Sequence, residues 1–277
     1  MLLLTKKLNV NIMLLKIKII IPAVLFVLIA AGCRSNMFET PTAGTPAEDE
    51  LSIKSTVEPE VTLPWEYPVK PGMEQWASFT TGQQMVDALQ IPLSILPDLS
   101  TNDLVKICMN YPLFIDYLAD NNHRRGISYM IEIFNGFKEL SLRMDGVHEL
   151  IRSYIEFPVL DDLPDENSKD YYMPYKLPFL EIFLADDSFI NQLDSQMASE
   201  LEQSVLVKYT KKLEYANVYS LFNVRHTMLL WAVVTDKHNP SAKTPAQLEV
   251  VKRFIENYNA EDGDNLLTEI SLIMSLL

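Results

Sequence analysis

The sequence is poor in cysteine, in glycine and in basic charge, and it has no apolar run long enough to cross a bilayer. Its 277 residues include two cysteines, Cys33 and Cys108. There is no Cys-x-x-Cys pair, and none of the four histidines (His123, His148, His226, His238) stands in a His-Glu-x-x-His arrangement. A transition-metal site therefore has no spacing to support it, and no metal or other cofactor is expected. There are eight glycines, and from residue 76 onwards only Gly82, Gly126, Gly136, Gly146 and Gly263. Neither a glycine-rich phosphate loop nor a Gly-x-Ser-x-Gly elbow can be drawn from them. Basic residues number 23 against 37 acidic ones. Nucleic-acid binding rests on Lys and Arg neutralising phosphates, so this balance argues against a nucleic-acid partner.

What basic charge there is begins the chain. Lys6, Lys7, Lys16 and Lys18 precede an apolar run of 14 residues, Ile19 to Gly32, with no acid before it. A spanning helix needs about 20 apolar residues, so the run suits a signal peptide better than a permanent anchor. It closes on Leu28-Ile29-Ala30-Ala31-Gly32-Cys33. This resembles the lipobox of bacterial lipoproteins, with Ala30 where Leu or Val is commoner. The resemblance implies cleavage before Cys33 and acylation of that cysteine. Residues 1–32 are thus expected to be the signal, starting at Met1 or at Met13, and Cys33 the site of membrane attachment. Two or more acyl chains hold a protein on a bilayer stably, at about 0.8 kcal/mol per buried CH₂. Arg34 rather than Asp follows the cysteine, which leans towards the outer membrane. Without the signal lysines the chain carries 19 basic and 37 acidic residues, a net charge of −18. Only Cys108 is left as a thiol, so no intrachain disulfide is expected.

Residues 33–75 read as the lipidated cysteine and a tether. Six prolines (41, 46, 59, 64, 68, 71) and the acids Glu48-Asp49-Glu50 occupy a stretch with few large apolar side chains before residue 63. Such a segment buries too little to order itself. About 30 flexible residues reach roughly 30 Å. Trp65, Tyr67 and Trp76 mark where the chain meets the body.

Residues 76–277 are expected to form one all-α domain, an irregular or solenoid-like stack of antiparallel helix hairpins. Val147, Leu150, Ile151, Tyr154 and Ile155 recur at helical spacing, as do Met197, Leu201, Val205, Tyr209 and Leu213. Leu248, Val251, Ile255 and Tyr258 repeat the pattern, and so do Leu266, Ile270, Ile273 and Leu277. Each set gives a helix one stripe to bury. Ser100 with Asp103 forms an N-cap signal, Asp87 is placed near a helix start, and Pro112, Pro178 and Pro245 are placed in first turns. Asn135-Gly136 and Asp145-Gly146 mark ends or breaks. Pro112–Asp120 and Pro178–Asp186 share a pattern at an offset of 66 residues, which either a tandem helical unit or coincidence between two buried helices would give.

Chemistry is sparse in this body, and no residue is assigned a catalytic role. Arg124 and Arg125 lie in the polar stretch Asn121 to Gly126, where they would bind a carboxylate or phosphate, or pair with nearby acids. Tyr171, Tyr172 and Trp76 are the aromatic candidates for a sugar platform. Asp161, Asp162, Asp165 and Glu166 supply oxygens of the kind Ca²⁺ takes, at a spacing that fits no known loop. Arg225 and His226 form an unusual polar pair inside the apolar stretch Leu221 to Val234.

Residues 100 to 140 add a resemblance. Ser100-Thr101, Leu104-Val105, Cys108, Tyr111-Pro112-Leu113-Phe114, Asn121, Gly126 and Phe134-Asn135-Gly136 are similar to a family of uncharacterised helical secreted proteins and lipoproteins of Gram-negative bacteria. The resemblance implies an envelope protein with a helical fold and brings no catalytic residues. The function expected is a lipid-anchored helical interaction module with a protein partner in the envelope. The alternative is a lipoprotein that binds or processes glycans.

Overall fold

The computed structural model describes residues 63–165, 168, 171–238 and 244–256. Cys33, the signal, most of the tether and the periodic stretch Leu266 to Leu277 lie outside them. The described residues are all helical and turn, with no strand among them.

The chain joins the body through Tyr67 and Val69, which are 6% and 3% exposed. The Tyr67 hydroxyl donates to the Ile107 carbonyl at 3.0 Å. The core therefore reaches back into the stretch that the sequence assigns to the tether. Lys70-Pro71-Gly72-Met73 then turns the chain, with the Met73 N–H on the Lys70 carbonyl at 3.2 Å and Gly72 at φ +92°. That angle at the third turn position is open to glycine and costly for a side chain.

Eleven α-helices follow among the described residues. They are α1 (Glu74–Ser78), α2 (Gly82–Ala88), α3 (Thr101–Met109), α4 (His123–Ile133), α5 (Asn135–Leu142), α6 (Gly146–Glu156), α7 (Met173–Leu184), α8 (Asp187–Ile190), α9 (Ser195–Glu214), α10 (Leu221–His238) and α11 (Pro245–Glu256). Two 3₁₀ segments, Leu96–Asp98 and Phe114–Ala119, interrupt them.

Local chemistry sets many of the starts. Ser100 accepts the Asp103 N–H at 3.1 Å and opens α3. Asn122 does the same for α4, Asp186 for α8 and Asp194 for α9. Asp87 falls in the last turn of α2, not near a start; Thr81 and Gln84 close a capping box at that helix's beginning instead. The Asn135 break is a docking point. Its side-chain amide accepts the Ile91 N–H at 3.0 Å and donates to the Ile91 carbonyl at 2.7 Å. Gln90 bonds the Ile133 carbonyl and the Asn135 N–H from the same side. Backbone groups freed where α4 ends are thereby satisfied.

Helix α7 is the centre of the stack, packed against α4, α6, α10 and the Phe114–Ala119 segment. Every residue from Leu177 to Leu184 is buried. A helix that is apolar all round belongs in an interior, and rings continue the core outward from it. Phe179 stacks on Phe183 at 5.6 Å, Phe183 meets Phe137 at 4.9 Å, and Tyr111 stacks on Phe134 at 4.4 Å. Pro178 lies inside α7, not at its start, because Pro174 already occupies the first turn. Pro112–Asp120, by contrast, holds the 3₁₀ segment Phe114–Ala119, with Pro112 ahead of it rather than in its first turn, Phe114 and Tyr117 buried and Ile115 and Leu118 exposed. The two look-alike stretches thus adopt different conformations, one enclosed on all sides and the other with one face in the core and one at the surface.

Helix α4 approaches that 3₁₀ segment closely at Gly126. A Cβ there would stand 2.5 Å from the Tyr117 carbonyl oxygen and 3.0 Å from its Cα. Backbone cannot yield as a side-chain tip can, so Gly126→Ala is expected to destabilise the protein by about 1–3 kcal/mol. Chemical denaturation of the two proteins measures it; an unchanged midpoint would mean that the contact relaxes freely.

Candidate functional site

Two groupings of polar side chains stand out, one sealed and one open. The sealed one is built on Glu181, the only charge in the buried run of α7. Lys212 of α9 donates to its Oε2 at 2.6 Å, and both side chains are fully buried. The Thr227 hydroxyl, from α10, donates to Oε1 at 2.9 Å and accepts from Lys212 Nζ at 3.0 Å. Tyr154 of α6 donates to Oε1 at 3.2 Å. One carboxylate thus ties four helices. Burial raises the Glu181 carboxyl and lowers the Lys212 amine, and the attraction between the two opposes both shifts. Lys208, one turn back on α9, caps the end of α6: its Nζ donates to the Phe157 carbonyl at 2.6 Å and lies 5.0 Å from the Tyr154 ring centre. Burial brings that amine down to about 8.

Beside this centre two histidines meet. His226 Nδ1 is 2.9 Å from the Phe222 carbonyl, which can only accept. The proton therefore sits on Nδ1, and Nε2 is left to accept from His123 Nδ1 at 3.3 Å. The rings are nearly parallel at 5.3 Å, and Tyr117 presents an edge to both. Burial holds both imidazoles below their ordinary range, with the Arg225 charge adding to the effect; His123 falls to about 4. Arg225 and His226 are accordingly buried, and His226 bonds a carbonyl one turn before it on its own helix.

The open grouping is a cleft of about 610 Å³ between α4, the end of α2 and the Phe114–Ala119 segment. Its apolar lining includes Val86, Leu113, Met130 and Ile133; its polar lining is Tyr111, Asp116, Asp120, Asn121, Arg125 and Tyr129. Arg125 grips Asp120 with two bonds, Nε to Oδ2 at 2.6 Å and Nη2 to Oδ1 at 2.7 Å, which holds the Asp120 carboxyl below its usual range. The Asp116 side chain is exposed and has neither an ion pair nor a hydrogen bond among the described residues; the desolvation it meets at the cleft edge raises its carboxyl. The Tyr111 hydroxyl is shut off from water and has no hydrogen-bond partner among them either. Burial raises that phenol, and the nearby Asp116 charge raises it further.

The residues singled out from the sequence are dispersed. Arg124 is turned inward: its Nη2 donates to the Ala185 carbonyl and to Asp187 Oδ1, each at 3.1 Å, fastening α4 to the junction of α7 and α8. Arg125 reaches the cleft. Tyr171 and Tyr172 are exposed and meet edge to face at 5.1 Å, with Tyr172 also against Phe114. The ring partner of Trp76 is Phe79. No ring contact joins Trp76 to either tyrosine among the described residues. Asp161, Asp162 and Asp165 are exposed, and no group of three or more metal-ligating side chains occurs among the described residues. Cys108 is fully buried, and burial raises its thiol well above the ordinary value. The sequence reading did not single out Glu181, Lys212, Thr227 or Tyr154. The available signal was a lone acid inside the otherwise apolar Leu177–Leu184. Nothing in the sequence marked Asp116 or Tyr111 as lacking a partner, because that is a property of the fold.

No protein-family model, curated protein or solved structure matches the chain.

Proposed function

We propose that the chain is a lipid-anchored envelope protein whose helical body binds a partner rather than catalysing a reaction. The observation that carries this reading is Leu28-Ile29-Ala30-Ala31-Gly32-Cys33, a small-residue run before a cysteine at the end of a lysine-led apolar segment. Acyl chains on Cys33 supply the membrane attachment. No helix among the described residues is long and apolar enough to cross a membrane. The proline- and acid-rich segment after the cysteine gives the body reach. The family resemblance over residues 100 to 140 points the same way, and Arg34 favours the outer membrane.

The interior supports binding over catalysis. Glu181 and Lys212 occupy each other and have no exposed side-chain surface, so neither is presented to a substrate. The partner of this reading is a protein of the envelope. A glycan is the second reading, favoured by the cleft where two tyrosines stand beside two carboxylates.

Anchoring is tested by growing cells with a clickable palmitate analogue. Label is expected on the wild-type protein and none on Cys33→Ala, which is expected in the soluble envelope fraction. A Cys33→Ala protein that stays membrane-bound would mean that the apolar segment itself is the anchor. Protease applied to whole cells then reports which side of the outer membrane the body faces.

A further inference from the structure

We propose that the cleft between α4 and the Phe114–Ala119 segment is a carbohydrate-binding subsite, taking a short neutral glycan over Tyr129 with ring hydroxyls on Asp116 and Tyr111.

Three observations converge on it. First, the volume of about 610 Å³ lies within the range of small-molecule sites, roughly 300–1,000 Å³. Second, the cleft holds polar groups that the protein leaves unmatched. The Tyr111 side chain is 1% exposed and its hydroxyl has no partner. Buried polar groups are overwhelmingly hydrogen-bonded, so an orphaned hydroxyl at a cavity wall points to something that completes it. Asp116 beside it is exposed, takes no donor from the protein and is open to one from a ligand. The Asp120–Arg125 pair behaves differently, since each side chain is already answered by the other. Third, the remaining lining has the right mixture. Tyr129 is 59% exposed and offers a ring face, Val86 and Met130 offer apolar wall, and the Asn121 amide offers a donor and an acceptor.

The chemistry that meets these groups together is a polyhydroxyl compound. Each sugar hydroxyl donates and accepts, so neighbouring hydroxyls can give a proton to Asp116 and, when the Tyr111 ring turns its covered hydroxyl into the cleft, exchange one with Tyr111. The carbon-bound hydrogens of a pyranose present an apolar face to Tyr129. A phosphate or carboxylate ligand is disfavoured, because Asp116 repels it and Arg125 is held by Asp120. An amine would answer Asp116 but make little use of Asn121 and the pair at the rim. This site differs from the aromatic trio chosen from sequence and is independent of the anchor, which is read at Cys33.

The test is calorimetric titration of the full-length lipidated protein, in a detergent without a sugar headgroup. The probes are short gluco-, manno-, galacto- and N-acetylglucosamine oligosaccharides, with putrescine and a lysine-rich peptide for comparison. Saturable binding of at least one oligosaccharide is expected. Asp116→Asn and Tyr129→Ala are expected to weaken it about tenfold or more. Tyr111→Phe is the decisive variant: it should weaken binding about tenfold while leaving Tm unchanged or higher, since it deletes an unmatched buried hydroxyl. Tyr129 is exposed, so Tyr129→Ala still reads the site if a substitution nearer the core fails to fold. The proposal is overturned if no oligosaccharide binds, if binding survives these substitutions undiminished, or if only the amines bind. A Tyr111→Phe protein that loses stability and keeps its affinity would assign the hydroxyl to structure and also overturn it.

Discussion

Lys212→Met is expected to destabilise the protein by about 3–5 kcal/mol, the range for removing one partner of a buried ion pair. The substitution keeps the stem of the side chain and deletes the charge. What remains is a carboxylate inside α7, fully buried, with only the Thr227 and Tyr154 hydroxyls to solvate it. For a body of this size the loss corresponds to a fall in Tm of roughly 10 °C. Glu181→Leu alone should cost a similar amount, because it strands the ammonium instead. Removing the whole network should behave differently. In Tyr154→Phe/Glu181→Leu/Lys212→Met no charge is left to desolvate, and Thr227 retains the Asn223 carbonyl within its own helix. Most of the lost stability is expected to return, since exchanging a buried pair for apolar side chains of similar volume is often neutral or stabilising. Denaturant unfolding followed by far-ultraviolet circular dichroism measures all three. If the triple variant is as unstable as Lys212→Met, the pair contributes net stability. If Lys212→Met is nearly silent, the carboxylate takes up a proton at little cost, and the four-helix tie is weaker than its geometry implies.

Acidification below pH 6.5 should weaken the fold. The cause is the His123–His226 contact. In the unfolded chain both imidazoles titrate near 6.5. In the folded protein His123 is held down to about 4 and His226 lower still, burial being the first cause in each. Above pH 6.5 neither state binds these protons, and the contribution of the pair to stability is complete. As the pH falls below 6.5 the unfolded state takes them up and the folded state does not, so stability declines. The decline runs down to about pH 4, where folded His123 begins to titrate. Each histidine alters the slope by up to about 1.4 kcal/mol per pH unit, so His123 alone accounts for roughly 3 kcal/mol over the window. Asp116 and Glu181 work in the opposite sense, because their carboxyls are raised and the folded state takes their protons first. Urea midpoints between pH 7 and pH 4 are expected to drop steeply, and His123→Gln/His226→Gln should flatten that drop even if it begins from lower stability. A wild-type profile flat across this window would show that the imidazoles titrate normally and that water reaches them.

The helical class of this protein was legible because it needs only local information. Leu201, Val205 and Tyr209 fall on one stripe of α9, and all three are buried in the structure. Ser100 opens α3 as its spacing to Asp103 suggests, and Asn135 stands where α4 gives way to α5. Capping and helical periodicity are short-range, set by residues three or four apart, so one sequence suffices to read them. Pro178 shows where that reading stops. A proline in an apolar stretch suggests a helix start, yet Met173 and Pro174 had already begun α7.

Tertiary structure alone decided which polar residues meet. Glu181, Lys212 and Thr227 lie 31 and 46 residues apart in pairing with the carboxylate, and His123 reaches His226 across 103. No periodicity encodes such distances, because they follow from how helices pack after each has buried its own stripe. Arg124 and Arg125 are the sharpest instance. They are neighbours in sequence and look equivalent, but a helix sends successive side chains about 100° apart. One is turned in to Ala185 and Asp187, and the other out to Asp120 at the edge of the cleft. The sequence by itself determined the helical class and many of the helix starts and breaks. The packing of α4, α6 and α10 around α7, and of α9 on α10 and α6, decided which charges were sealed inside and which cleft was left with a buried unmatched hydroxyl, because burial is a property of the assembled body.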